Sequence, residues 1–404
     1  MIPRSLTLLA VLFLVTSTAA PAVVGAQEST TYDGQHVQFS VDNTALIDYR
    51  VDGTTFFERI AVQSKQQAEQ SGVVSVGADV SSLGSLAGSG FSLGSTTDVE
   101  TTVRTDSGAT LDVHDNTHGI VVFRSEQRTQ YLQANLSETT EATYQGDATV
   151  LVETESGPQA SVFVVGEGSV GVNDDGDLTA TVGPDGYLVV RTYEDERGTD
   201  DRNQEQLIAD GVATGEVYLV QRGGETVVDT VAYGRNTTVE VTSQSADALD
   251  MTVDRAVESG TVILTSIPQG TLDGAGDGTV NVTVDGEVAG EALTYGELQM
   301  AAGGGQTSKY LVQQSSNARA TTEVGIALNH FSERQVTIRG DDGDSAESSE
   351  STAEASQTSQ TSQTSQTSQT STTTPGFGAG VAVLALFAAL AGLVGLAGRV
   401  RRRD

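Results

Sequence analysis

The chain has 404 residues, with 54 Asp and Glu against 21 Lys and Arg, a formal net charge of −33. It contains no cysteine, so a disulfide framework and a thiolate metal site are both excluded, and stability must come from a hydrophobic core. A surface this negative also argues against nucleic acid and anionic lipid as partners, because both would be repelled.

Residues 1–26 carry an early positive charge at Arg4, an apolar run over 6–15, and the small residues Val24, Gly25 and Ala26. This is the layout of a secretory signal peptide, cleaved between Ala26 and Gln27. As a helix the apolar run would span only about 15 Å, roughly half a bilayer core, which disfavours an N-terminal membrane anchor. Outside residues 27–377 the charges are Arg4, four C-terminal arginines and Asp404, so 27–377 holds 53 acidic and 16 basic residues, a net of −37. Self-repulsion of that size opposes a compact state in dilute buffer, whereas at molar salt the screening length falls to about 3 Å. Only Lys65 and Lys309 are lysines, and tryptophan is absent. The composition resembles that of proteins from extremely halophilic archaea.

Residues 27–340 are enough for one large or two ordinary domains. Short apolar runs separated by turn residues predict strands at 36–41, 45–51, 119–124, 130–136, 215–221, 226–232, 261–266, 279–285 and 323–329. The clearest pattern lies over 159–193. There Leu178, Ala180 and Val182 alternate with Thr179 and Thr181, and Asn173-Asp174-Asp175-Gly176 and Gly183-Pro184-Asp185-Gly186 read as tight turns, which together predict an antiparallel meander. Helices are expected only at 56–70, 199–209 and 295–302, and the Gly- and Ser-rich stretch 71–97 reads as a long loop. The fold class is therefore all-β, one or two antiparallel β-sandwich-like domains. The charged stretch 194–206 suggests a division into 27–198 and 199–340.

Four local patterns in this region could carry chemistry. Gly90-Phe91-Ser92-Leu93-Gly94 fits the nucleophile-elbow spacing, but no strand leads in, no helix follows, and β–α alternation is absent. His114-Asp115-Asn116-Thr117-His118 places two histidines four apart and could hold a metal if His36 or His330 came near; Asp115-Asn116 also reads as an ordinary turn, the preferred interpretation. Asp273-Gly274-Ala275-Gly276-Asp277-Gly278 looks friendly to cations, yet Val284 stands where a calcium loop needs its closing Glu. Three Asn-x-Ser/Thr sequons, at Asn135, Asn236 and Asn281, are candidate N-glycosylation acceptors, and strand alternation predicts that all three face solvent. Arg339-Gly340-Asp341 is an adhesion tripeptide in other contexts and reads as coincidence at the start of an acidic stretch.

Residues 341–374 lose nearly all apolar side chains and pass into five Gln-Thr-Ser repeats over 357–371, so no core can form there. A disordered Ser/Thr stalk is expected. Residues 378–398 are then uncharged and rich in Ala, Leu, Val and Gly, about 31 Å as a helix, the thickness of a hydrocarbon core. Arg399, Arg401, Arg402 and Arg403 follow and should stay on the cytoplasmic side, leaving 27–377 outside. The order of Pro375-Gly376-Phe377, apolar span and arginine cluster after a Ser- and Thr-rich stalk resembles the PGF-CTERM sorting signal of haloarchaeal surface proteins. The resemblance covers only about 30 residues at the C-terminus. It implies an archaeosortase-type processing enzyme as partner, which would recognise Pro375, Gly376 and Phe377 and remove the tail, and it implies a membrane lipid joined to the mature chain.

The expected role is that of an anchored cell-surface glycoprotein, structural or interacting, with other envelope proteins or glycans as further partners. No residue set supports a reaction or implies a cofactor. A ligand- or ion-binding module and an anchored extracellular hydrolase are the alternatives; a concave site with convergent polar groups would favour the first, and Ser92, or His114 and His118, meeting a carboxylate in such a site would favour the second.

Overall fold

The computed structural model describes residues 29–340 except 73–79, 84, 147, 315–320 and 331–332, all within one compact unit, Met1–Glu347. The expected signal peptide, stalk, sorting motif, transmembrane helix and arginine cluster lie outside the described residues. Among the described residues no helix is long and apolar enough to cross a membrane.

The chain opens with β1 Thr30–Asp33, β2 Val37–Val41, β3 Leu46–Val51 and β4 Thr54–Ser64, followed by the short helix α1 Lys65–Gln70. Next come β5 Phe91–Thr96, β6 Glu100–Thr105, β7 Ala109–His114, β8 Val121–Ser125 and β9 Gln130–Leu136. Then follow β10 Thr140–Tyr144, β11 Thr149–Thr154, β12 Gln159–Val165, β13 Gly168–Val172, β14 Leu178–Val182 and β15 Tyr187–Tyr193. Helix α2, Thr199–Ala209, leads to β16 Ala213–Arg222, β17 Glu225–Ala232, β18 Thr237–Gln244, β19 Ala248–Arg255 and β20 Ser259–Pro268. The last elements are β21 Val280–Val284, β22 Glu287–Val288, β23 Gly290–Glu291, α3 Tyr295–Ala302, β24 Lys309–Gln314, β25 Thr321–His330 and β26 Arg334–Gly340.

These strands form four sheets. Sheet I has the order β1-β2-β3-β4-β9-β14-β13 and sheet II the order β10-β11-β12-β15-β8-β7-β6-β5. Phe39, Tyr49 and Phe57 of sheet I meet Leu111, Phe123 and Leu188 of sheet II in one core, which makes the first sandwich. Sheet III runs β17-β16-β20-β25-β24-β23 and sheet IV β18-β19-β26-β21-β22, and Val217, Ile263 and Ile326 meet Met251, Val282 and Ile338 in the second. The chain is mostly β and its pairing mostly antiparallel, with two exceptions: β16 pairs parallel with β20, and β23 with β24. A parallel pair needs a long crossover, and between β16 and β20 it is supplied by β17 in sheet III followed by β18 and β19 in sheet IV.

A third core joins the sandwiches. Ile120, Val122, Phe163 and Val189 on the back of sheet II pack with Tyr218, Val220, Val262 and Leu264 on the back of sheet III, together with Leu207 and Ile208 of α2 and Leu298 of α3. Strands β12 and β15 are accordingly buried at every position, which explains the apolar runs Val162–Val165 and Tyr187–Val190: both faces are covered.

Three sequence expectations need correction. Residues 159–193 are not a simple meander, because β12 pairs with β15 in sheet II while β13 and β14 form a hairpin in sheet I. The expected turn at Asn173–Gly176 is a hairpin turn, with the Gly176 N–H donating to the Asn173 carbonyl at 3.1 Å. The expected turn at Gly183–Gly186 is also present, with the Gly186 N–H donating to the Gly183 carbonyl at 3.0 Å, but it links β14 of sheet I to β15 of sheet II, and a Cβ on Gly186 would lie 1.9 Å from the Glu167 carbonyl oxygen. The helix expected at 56–70 is strand as far as Ser64 and helix only over Lys65–Gln70. The cause is tertiary: β4 sits inside sheet I between β3 and β9 and buries both faces over its last five residues. Finally, 91–96 within the expected loop forms edge strand β5. The expected helices at 199–209 and 295–302 are α2 and α3.

Candidate functional site

The pentapeptide His114–His118, between β7 and β8, stands at the seam of the two sandwiches. His114 is 2% exposed, and its Nδ1 lies 2.7 Å from Oδ1 of Asp229 on β17, itself 1% exposed. The other Asp229 oxygen accepts from Asn116 Nδ2 at 2.7 Å. Asp115, fully buried, accepts from the backbone N–H groups of Gln35, His36 and Val37 at 2.7, 2.7 and 2.8 Å, and it also pairs with the Arg222 guanidinium of the second sandwich. Gly34 is needed beside it, since a Cβ there would stand 2.5 Å from the Asp115 carboxyl carbon. Asn116 Oδ1 accepts from the His118 N–H at 2.9 Å, and the Gly119 N–H donates to the Asn116 carbonyl at 3.0 Å, so the expected turn is present. His118 Nδ1 donates to the Thr192 carbonyl at 2.8 Å, and its ring meets Tyr193 and Tyr218 edge-on.

The two histidines thus commit their Nδ1 atoms to different partners, and the residues act as polar fastenings between sandwiches. His36 turns instead to Asp52, 2.9 Å away. Among the described residues no group of three or more His, Cys, Asp or Glu is placed to hold a metal ion. Burial disfavours a charged His114 ring, but the Asp229 charge and hydrogen bond outweigh it and lift His114 above the ordinary histidine value.

A second set of buried charges was not anticipated from the sequence. Arg191 on β15 is 1% exposed and donates to Glu216 of β16 at 2.9 Å and to Gln204 of α2 at 3.2 Å. Tyr218 donates to the same Glu216. Beside it Arg197 donates to Glu205 at 2.6 Å and to Ser161 at 3.1 Å, and Tyr193 donates to Glu205 at 2.6 Å. Burial holds the hydroxyls of Tyr193, Tyr218 and Tyr233 protonated, far above the ordinary tyrosine value. The signal in the sequence is a lone arginine inside an apolar run, Leu188 to Tyr193, matched by a lone glutamate in β16.

Outside this network a cleft of about 400 Å³ opens along α2, lined by Asp195, Glu196, Asp200, Asp201, Gln204 and Glu323. It continues toward His118, Tyr193 and Ser266. Glu323, partly exposed on β25, accepts from Ser266 Oγ at 2.8 Å. Burial pushes its carboxyl up to about 7, against the opposing Ser266 hydrogen bond and Arg191 charge, while Glu216 and Asp201 add to the rise. The folded chain therefore keeps a proton that the unfolded chain releases near its ordinary value of 4.5. Stability from this group is full below that value, declines as pH rises, and is gone above about 7. Glu323→Gln is expected to flatten this slope and raise the melting temperature at pH 8 by several degrees; identical melting of variant and parent at pH 8 would contradict it.

The remaining candidates are dispersed. Ser92 is exposed on edge strand β5, in register opposite Arg104, and does not meet a histidine there. In the 273–278 segment, Ala275–Asp277 is one short helical turn, and Gly340 packs so closely on it that a Cβ would overlap the Asp273 carbonyl. Gly340 is therefore not the tip of a free Arg-Gly-Asp loop, and Asp341 lies outside the described residues. Asn236 and Asn281 are exposed, as expected. Asn135 departs from expectation: it is half-buried and donates from Nδ2 to Asp177 at 2.6 Å, because the Asp177 carboxylate also gathers Gln133 beside it.

No family model matches this chain, and no curated protein does. Among solved structures, a family 81 glycoside hydrolase from Clostridium thermocellum aligns over 78% of this chain at 10% identity with a TM-score of 0.33. The alignment spans 36% of that protein's length, and a score of this size assigns neither fold nor activity.

Proposed function

We propose that the chain is an exported cell-surface glycoprotein of a haloarchaeal envelope, anchored by membrane helix or lipid and non-enzymatic in role, in which a stiff double sandwich serves as a structural or interaction module. The observation that carries this reading is the C-terminal order of stalk, Pro375-Gly376-Phe377, apolar span and arginine cluster behind a β-rich body. The third core supports the mechanical side of it, since sandwiches sharing buried apolar residues do not swing freely as linked beads would. The partners are an archaeosortase-type enzyme, a membrane lipid and neighbouring envelope proteins or glycans. Replacing Pro375 and Gly376 with alanine in the native host is expected to leave a heavier, unprocessed form in the membrane fraction. Equal electrophoretic mobility of variant and parent would remove the sorting step.

A second reading is ligand or ion binding at the acidic cleft, favoured by the convergence of Glu323, Asp201 and Gln204 there. Calorimetric titration with calcium and with spermine tests it, and absence of heat from both would remove it.

A further inference from the structure

Charged pairs cross the seam at three places: Arg191 with Glu216, Arg222 with Asp115, and His114 with Asp229. The first two use guanidinium, which keeps its charge at any ordinary pH. Only in the third can the positive partner lose its charge under mild conditions. Among the described residues Asp229 is bonded by His114 and Asn116 alone, and Asn116 brings no charge. Its carboxylate, 1% exposed, thus depends on His114 for compensation.

We propose that His114 and Asp229 form a proton-dependent latch between the two sandwiches. With both imidazole nitrogens protonated, the contact is a buried ion pair. When the ring gives up its proton to solvent, the same contact becomes a neutral N–H facing a lone buried carboxylate, and the seam opens more readily. The surroundings favour the protonated form at rest: Glu100 of β6 lies directly across the ladder from His114, and Glu216 of β16 is near, though paired with Arg191 of β15. Tyr233, after β17, stays neutral beside Asp229 and Glu216. The ring's affinity for a proton is raised in the fold, so the latch is fully closed below the free histidine value and releases as pH climbs through the higher folded value. Opening would act first on β17, which carries Asp229, and on α2, whose Leu207 and Ile208 belong to the core shared by the two sandwiches.

The protein holds four histidines, which makes the ring observable. Full-length protein in molar salt, carrying Glu323→Gln to remove the other titrating group of the seam, is followed by imidazole nitrogen NMR. One ring is expected to lose its second proton at a higher pH than free histidine does, and that signal should vanish in His114→Gln. Hydrogen exchange of peptides from β17 and α2, corrected for intrinsic base catalysis, should be at least tenfold faster at pH 9 than at pH 7. In Asp229→Asn the two rates should be equal. A neutral His114 ring at pH 6, equal exchange at pH 7 and 9 in the parent, or a pH effect persisting in Asp229→Asn would each overturn the latch. The NMR reading needs only the parent fold, so a variant that fails to fold does not shield the proposal.

Discussion

Replacing Arg191 with alanine is expected to destabilise the protein by about 3 to 5 kcal/mol, because it leaves a buried carboxylate without compensation. Glu216, 1% exposed, would keep the Tyr218 hydroxyl as donor but lose its guanidinium, and Gln204 would lose the donor that fixes α2 to the seam. Burying an ion pair does not by itself make a protein more stable than apolar packing would, so the double change Arg191→Met with Glu216→Gln should cost much less than the single one. The contrast with an exposed pair decides the interpretation. Lys309→Ala removes a 3.0 Å contact to Glu297 at the surface and should leave the unfolding midpoint unchanged. Chemical unfolding in molar salt measures all three, and a loss under about 1 kcal/mol for Arg191→Ala would mean that the seam relaxes or admits water.

Transfer of the purified protein from molar to millimolar salt is expected to abolish cooperative folding. Residues 27–377 carry a net charge of −37, and the screening length grows from about 3 Å at 1 M to about 30 Å at 0.01 M, beyond the spacing of neighbouring surface carboxylates. Repulsion then adds across the whole body, and most strongly in the cleft, where Asp195, Glu196, Asp200 and Asp201 face one another. Circular dichroism at both salt concentrations checks it, and superimposable spectra would show that the buried cores alone outweigh the repulsion.

The strands easiest to read from sequence were those with apolar residues in strict or unbroken order, such as β9, β15 and β14. Those missed, β19 and β26 among them, alternate core residues such as Met251, Val253, Val336 and Ile338 with charged or polar ones such as Asp254, Gln335 and Arg339, since sheet IV shows its outer face to water. In a strongly acidic chain such strands resemble loops, because the polar half of the period is charged as heavily as the turns. Strand β4 failed for another reason. Its Glu58, Arg59 and Gln63 suit a helix, and only pairing with β3 and β9 overrides that preference. At the seam, the sequence marked the 114–118 segment as unusual but could not reveal Asp229, more than a hundred residues away, as the partner of His114. The side-chain types were visible; their convergence depended on how sheet II backs onto sheet III.

Strand β26 lies in the interior of sheet IV, hydrogen-bonded to β19 on one side and β21 on the other, and Gly340 at its end is wedged against Asp273. Backbone hydrogen bonds between antiparallel strands stand perpendicular to the strand axis. Tension applied from beyond residue 340 would therefore load both ladders in shear, so that their bonds must yield together and not one at a time. A tether attached at an edge strand would peel; attached here, it hands the load to the middle of the sheet.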